Sequence, residues 1–531
     1  MALTAAFRVD ASRRIGSGHV YRCLALAEAL RVRGARSVFI HREHDGHLRP
    51  LIESRGFPVH LLPPPTADAG LLSDSEYAEW LGVAEATDAQ ESLNAIQSAG
   101  AEMVIVDHYA LGPAWEATVK PHVDRVVAID DLPGRRHACD LLIHQVGTTT
   151  HESAQPGTGS DVSRVLSGPH YALIDATYIA ARRLMTPRSE LGRILVFFGA
   201  SDQLGLTPCA LRVLSEEEFD HIPIDIVAGI NDKHSMGLET LARDRGQVIV
   251  HEPQESLAPL MLRADLLVGA AGMTSWERCT VGLPSIAVVT TENQRLGADL
   301  LLEAGAARTI DARGADNGVR SDFERILRAE LLAFLDTPAE LAAMSAAGPQ
   351  VADGCGAGRV AEQLIPSGPE STRLRSVRED DRSLLFRWVN DPDVRRASFD
   401  SEPIDWDDHA DWFARFRRDP ASRIWILETQ GSVPVGQFRV SVRDGVGRVD
   451  YSVDADFRGR GLGREILRVG LEAWRSQFPG VPLRAETRSD NQRSRAALES
   501  AGWTNADGVG WHPGGGGGGS FHPDRSGFVA Q

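Results

Sequence analysis

The stretch Arg8–Leu26 reads R-V-D-A-S-R-R-I-G-S-G-H-V-Y-R-C-L-A-L and constrains the fold more than any other segment. An apolar strand start, Phe7 and Val9, runs into a small-residue turn, Gly16-Ser17-Gly18. The turn delivers His19 to the top of a helix whose Leu24, Leu26, Ala27 and Leu30 suit one buried face. A glycine turn lets another molecule approach the backbone closely, and the helix start beneath it favours anions. A histidine there can take a proton from a nucleophile held near a phosphate-bearing ligand. Asp10, at the strand end, either orients His19, binds a sugar hydroxyl, or is a turn or capping aspartate.

The alternation continues. Ser37–Ile40, Val59–Leu62, Met103–Val106, Val126–Ile129 and Leu141–Ile143 read as short strands between helical stretches. The pattern restarts with Ile194–Phe198, Ile224–Ala228, Val248–Val250, Leu266–Val268 and Ile286–Val289. Two doubly wound parallel sheets in tandem are expected, with ligands outside the carboxyl ends of the strands. The expected boundaries are 1–175 and 176–365, then a linker at 366–372 (P-S-G-P-E-S-T). Residues 373–506 have a different texture, with frequent tryptophans and antiparallel strand candidates. The tail, 507–531, holds six consecutive glycines and is expected to be disordered.

At 531 residues the chain is long enough for three or four domains. Its net charge of −17 argues against a nucleic-acid partner. No apolar run reaches the roughly 18 residues of a membrane helix, and no basic segment precedes an apolar core near the first residue. The five cysteines are scattered, with no C-x-x-C pair. A reduced, cytoplasmic protein without a metal site is the expectation.

In the second half of the tandem, Gly199-Ala200-Ser201-Asp202 follows a strand, as a nucleotide-contacting turn should. Gly269-Ala-Ala-Gly272-Met-Thr274-Ser275 carries a stronger signal: a strand ends in small residues and a helix begins with two hydroxyls. Backbone N–H groups and the helix dipole then face a diphosphate. Glu277 is placed to take both ribose hydroxyls, and Asn293 and Gln294 of the run Glu292-Asn293-Gln294 to read sugar polar groups.

Over residues 7–365 the chain resembles the UDP-2,4-diacetamido-2,4,6-trideoxy-β-L-altropyranose hydrolases of pseudaminic acid biosynthesis. The matching parts are the Arg8–Leu24 segment, V-D-H-Y (Val106–Tyr109), I-D-D-L (Ile129–Leu132), S-G-P-x-Y-A-L (Ser167–Leu173), and T-x-W-E…G-L-P…E-N-Q (Thr274–Gln294). The resemblance implies a glycosyltransferase-B-like pair of Rossmann-type domains, metal-independent release of UDP by inverting attack of water, and His19 as the catalytic histidine. Gly18, Arg22, Tyr109, Ser201, Asp202, Gly272, Thr274, Ser275, Glu277, Asn293 and Gln294 are the expected substrate contacts. Ala200 departs from the family, which has a second glycine there.

Further on, Arg458-Gly459-Arg460-Gly461-Leu462-Gly463 lies between a strand and a helix, and Asn491 follows about 30 residues later. The loop's N–H groups can wrap a pyrophosphate, with Arg458 and Arg460 adding charge. The pair resembles the GCN5-related N-acetyltransferases over 373–506. This implies an α/β acetyltransferase domain using acetyl-CoA as co-substrate. The pyrophosphate would lie on Arg458, Gly459, Arg460, Gly461 and Gly463, with Asn491 near the pantetheine arm. The strand through Tyr451 to Val453 would splay to pair with that arm. Many members carry a tyrosine seven residues after that asparagine as general acid; here the position is Leu498. Asp450 and Glu428 are candidate bases, or solvated strand carboxylates.

Together the two resemblances imply consecutive steps. UDP-4-amino-4,6-dideoxy-β-L-AltNAc, a UDP-linked amino sugar, is N-acetylated, and UDP is then hydrolysed from the product. Three rivals stand beside this: a UDP-sugar glycosyltransferase, an acetyltransferase for another amine, and a sugar-nucleotide sensor.

Overall fold

The computed structural model describes residues 2–66, 77–147, 160–186, 188–200, 202–229, 235–315, 318–505 and 509–514. The chain divides into two compact units, Met1–Pro366 and Ser367–Gln531.

The first unit holds two parallel sheets. One contains β1 (Thr4–Val9), β2 (Arg36–Arg42), β3 (Val59–Leu62), β4 (Met103–Asp107), β5 (Arg125–Ile129), β6 (Leu141–His144) and β7 (Arg164–Ser167) in the order β3-β2-β1-β4-β5-β6-β7. The other contains β8 (Ile194–Phe197), β9 (Ile224–Val227), β10 (Val248–His251), β11 (Leu266–Ala270), β12 (Ser285–Val289) and β13 (Arg308–Asp311) in the order β10-β9-β8-β11-β12-β13. β1, β4 and β11 are buried along their whole length. A parallel sheet covered on both faces demands such continuous apolar runs. In each sheet the order reverses at its middle, between β1 and β4 and between β8 and β11. Loops at the carboxyl ends of those strands diverge there and leave room for a ligand.

The two-sheet expectation is met, with one strand more at the edge of each sheet, β7 and β13. The first unit ends at Pro366, next to the expected boundary at 365, but the placement of its last helix in the second Rossmann-type domain needs correction. The helix Gly356–Leu364 sends Ala357, Val360, Ala361 and Leu364 into the core of the first sheet, beside Val20, Leu24 and Leu26. Gly356 has no room for a side chain, since a Cβ there would lie 2.2 Å from the carbonyl oxygen of Ala172. The closing helix of the second segment thus completes the first domain.

The second unit is a mixed sheet of β14 (Thr372–Ser376), β15 (Arg423–Thr429), β16 (Pro434–Arg443), β17 (Val446–Val453), β18 (Leu483–Glu486), β19 (Trp503–Asn505) and β20 (Gly510–Pro513), ordered β14-β15-β16-β17-β18-β20-β19. Among the described residues of this unit only β17 and β18 pair in parallel. Trp425, Phe438, Trp474 and Trp511 pack on one face with the helices Leu462–Gln477 and Gln492–Ser500. Ile424 and Ile426 meet Trp388 and Phe413 on the other. Two boundaries shift: β14 begins inside the expected linker, and β20 lies in the expected disordered tail, with Trp511 almost fully buried. Residues 515–531 lie outside the described residues. Among the described residues no helix is long and apolar enough to cross a membrane.

Candidate functional site

His19 opens the helix Gly18–Val32 directly after β1, at the point where the first sheet reverses. Its Nδ1 lies 2.6 Å from Asp107 Oδ1 at the end of β4. With Nδ1–H donated to a carboxylate, Nε2 carries the lone pair and can accept a proton. Arg22, one turn along the same helix, grips the same carboxylate through Nε (2.6 Å) and Nη2 (2.5 Å) and reaches Asp131 through Nη1. Burial alone would raise the Asp107 carboxyl; the Arg22 charge and the bonds from Arg22 and His19 outweigh it and hold it well below the ordinary range. Tyr109 sets its ring edge-on to His19 with centroids 4.8 Å apart, and Trp80 adds a second aromatic wall at 6.2 Å.

Two expected roles change here. Asp10 does not orient His19. It is buried against Arg8 (2.7 Å) and accepts from the backbone N–H of Arg42 (2.7 Å), with His108 and His44 at 3.5 and 3.6 Å. The carboxylate that meets His19 is Asp107, of the V-D-H-Y segment. Arg22 is no free substrate contact either, because its guanidinium is committed to Asp107 and Asp131; it positions the site.

Gly18 faces the loop after β11, and a Cβ on it would come within 3.4 Å of Met273 Cγ. Beside this approach lies a cleft lined by Tyr21, Asp175, Tyr178, Met273 and Glu277. Glu277, inside the helix Thr274–Thr280, is pushed up to about 7 by burial, with Asp175's charge adding to the effect. Gln294 accepts from the N–H and hydroxyl of Thr290 (2.9 and 3.1 Å), and its Nε2 lies beside Gly272. Asn293 accepts from the Thr291 hydroxyl at 2.6 Å. Gly272 and Thr274 stand at the loop–helix junction as expected.

Other residues turn inward. Ser275 Oγ accepts from Arg278 at 2.7 Å and is buried, so it serves the core. Asp202 caps a helix, accepting from the N–H groups of Leu206 (2.9 Å) and Thr207 (2.8 Å). Ser201 lies outside the described residues.

Among the described residues of this unit, Glu116, His137 and Cys139 bring metal-ligand atoms together. Burial would lower the His137 pKa, yet hydrogen bonds to Asp130 and Glu116 raise it to about 9. Nδ1 lies 2.7 Å from Glu116 and Nε2 3.4 Å from Asp130. An imidazolium spanning two carboxylates has no lone pair for an ion.

In the second unit, Gly459 and Gly461 take φ of 81° and 80°, a left-handed backbone that glycine adopts without strain. They turn the loop onto the helix Leu462–Gln477. β17 pairs with β18 only from Gly447 to Val449, so the stretch through Tyr451 to Val453 diverges from β18 as expected. Arg458, however, is spent on Asp391 (2.7 Å), Asp393 (3.0 Å) and the Val453 carbonyl (3.1 Å). It braces the loop rather than offering its charge. Arg460 lies over the Phe457 ring and donates to the Asp456 carbonyl at 3.3 Å. A Cβ on Gly463 would stand 3.5 Å from Ala497 Cβ. Asn491 caps the next helix by accepting from Ser494 N–H at 3.1 Å. Of the two candidate bases, Glu428 is buried against Arg375 and Asp450 pairs with Arg439. Glu428 is a buried structural carboxylate, and Asp450 is an exposed strand carboxylate.

Comparison with known proteins bears on both units. Residues 372–504 match the family model described as acetyltransferase (GNAT) domain. Uncharacterized protein MJ1062 of Methanocaldococcus jannaschii is 21% identical over 93% of this chain and 95% of its own length. The UDP-N-acetylglucosamine–N-acetylmuramyl-(pentapeptide) pyrophosphoryl-undecaprenol N-acetylglucosamine transferase of Mycobacterium tuberculosis is 28% identical over 66% of this chain and 86% of its own. The crystal structure of MurG from Acinetobacter baumannii superimposes with a TM-score of 0.48 at 15% identity, over 69% of this chain and all of that one. The chain carries two Rossmann-type domains followed, over residues 372–504, by a GNAT acetyltransferase domain.

Proposed function

We propose that the first unit is a UDP-sugar hydrolase and that the second acetylates its substrate beforehand. The observation that carries the first half is the His19–Asp107 pair at the reversal point of the first sheet, next to Gly18 and Arg22, which line a cleft together with Glu277. In this reading the loop at Gly272 and Thr274 takes the diphosphate, Glu277 the ribose hydroxyls, and Gln294 the sugar. His19 Nε2 takes a proton from water as its oxygen attacks the anomeric carbon, and the bond to UDP breaks on the opposite face. Asp107 stabilises the resulting imidazolium. UDP leaves readily once its charge is met by fixed donors, so no metal is required. The substrate is UDP-2,4-diacetamido-2,4,6-trideoxy-β-L-altropyranose.

In the second unit acetyl-CoA would lie with its pyrophosphate on Gly459–Gly463 and its pantetheine arm along Tyr451–Val453. The acceptor is the 4-amino group of UDP-4-amino-4,6-dideoxy-β-L-AltNAc. Both steps would take place in the cytoplasm.

Mass spectrometry of the full chain incubated with that amino sugar, with and without acetyl-CoA, tests both halves. Acetylation followed by loss of UDP only when acetyl-CoA is present is the expected result. Loss of UDP without acetylation would detach the second unit from this substrate; no product would overturn the assignment.

A second reading, a glycosyltransferase, is favoured by the likeness to the mycobacterial enzyme. Its mark would be UDP release that depends on an added acceptor.

The Glu277 pKa gives a further expectation. If the ionised carboxylate takes the ribose hydroxyls, affinity tightens as pH rises through about 7. From pH 6 to 8 the Kd for UDP-N-acetylglucosamine, a probe without a titrating phosphate in this range, should fall about tenfold. Glu277→Gln should flatten that dependence. Calorimetric titration at four pH values decides it.

A further inference from the structure

Acyl transfer from a thioester leaves a thiolate that must gain a proton. Around the gap between β17 and β18, the helix Gln492–Ser500 turns Leu498, not a hydroxyl, into the core. A hydroxyl comes instead from the sheet. Tyr451, two residues past the last β17–β18 pair, belongs to the face that packs against the helix Leu462–Gln477. Its ring carbon Cε2 is 4.0 Å from where a Cβ on Gly463 would stand, which sets the ring beside the first turn of the helix that follows the glycine loop. Its oxygen is 3.0 Å from Ser494 Oγ and 3.3 Å from the Ser494 carbonyl. Ser494 is itself fixed through the Asn491 cap. A phenol from the strand and a hydroxyl from the helix therefore meet where the strands part.

We propose that Tyr451, backed by Ser494, is the proton donor to the thiolate released in acyl transfer from an acyl-CoA thioester. The inference rests on the acyl-CoA reading given above. The amine nitrogen attacks the thioester carbonyl carbon and forms the C–N bond. As the tetrahedral adduct collapses, the C–S bond breaks and its electron pair goes to sulfur. Sulfur takes the Tyr451 proton, and the phenolate regains one through Ser494 from the proton the nitrogen gives up. No group is oxidised or reduced. Burial pushes the Tyr451 phenol up to about 12, against the lowering effect of the Ser494 hydrogen bond, so it holds its proton across the neutral range.

The test uses the full chain with coenzyme A itself, reading the ultraviolet absorbance of the bound thiolate against pH. A phenol donating to sulfur stabilises the thiolate. Bound coenzyme A should therefore titrate about one pH unit lower in the unsubstituted protein than in Tyr451→Phe. Ser494→Ala should shift it less, in the same direction. With acetyl-CoA and the amino sugar, Tyr451→Phe should lower kcat about 10²-fold and leave the acetyl-CoA KM nearly unchanged. Identical titrations in all three proteins, or an unchanged kcat, would overturn the role. Failure of the unsubstituted protein to bind coenzyme A would overturn the acyl-CoA reading first, and the inference with it.

Discussion

His19→Ala is expected to lower release of UDP from the diacetamido sugar by about 10²–10⁴-fold, the usual worth of a positioned general base. UDP affinity should barely move. His19 stands in the first Rossmann-type domain on the helix after β1, whereas the groups assigned to the nucleotide, Gly272, Thr274 and Glu277, stand in the second. The two measurements therefore separate. A lost base lowers kcat, while a lost ligand contact raises KM. The fold should tolerate the change, because the His19 side chain retains some exposure and packs at the site wall rather than inside a core cluster. His19→Gln refines the test: it keeps a polar group near Asp107 without a titrating base, and should be as inactive as alanine. Phosphate-free UDP-release assays on purified variants, with calorimetric UDP titration alongside, provide the check. Activity within a few-fold of the unsubstituted protein would remove His19 from the mechanism.

Much of this arrangement was legible in the sequence, and the exceptions have physical causes. β1, β4 and β11 are apolar along most of their length because both faces are covered, so they stand out as runs. β7 and β13 each bury one residue, Leu166 and Ile310, and expose or half-expose the other three. Edge strands of that kind exist through pairing with a neighbour, which a local pattern does not contain. The tail illustrates the same point: Gly510–Pro513 looked continuous with low complexity, yet Trp511 pairs opposite Ala485 and fills the core.

The site shows a related limit. His19 and the glycines around it are a local signal and were placed correctly at a strand–turn–helix junction. Its partner was not found, since Asp107 is 88 residues away and becomes adjacent only through the order β1-β4. Asp10 was nearer in sequence and drew the role instead. Arg458 failed for a similar reason. A basic side chain in a phosphate-type loop invites a ligand, but Asp391 and Asp393, on a helix far upstream, already neutralise it. Local spacing identifies loops that can receive a phosphate; which charges remain free there is decided by tertiary pairing.

Asp107→Ala is expected to act on both stability and turnover, and the two effects can be separated. Asp107 is fully buried and balances Arg22, itself almost wholly buried. Removing one partner strands the other charge, which costs about 3–5 kcal/mol. Arg22 keeps Asp131, so the lower end of that range is expected. The folded Asp107 carboxyl sits below its ordinary pKa, so its contribution is fully present above that pKa, about 4, and fades only as pH falls through the lower folded value. Urea denaturation at neutral pH should therefore show the whole loss, and denaturation in strong acid much less of it. Turnover should fall about as far as in His19→Ala, because Nδ1 loses the acceptor that fixes the tautomer and steadies the imidazolium. The double variant Asp107→Ala/Arg22→Met distinguishes positioning from packing. With no stranded guanidinium, stability should recover in part, since an apolar chain can occupy the space. Turnover should stay at the level of the single variant, because His19 still lacks its carboxylate. If the double variant regained activity along with stability, Asp107 would be holding the fold together and not orienting the base.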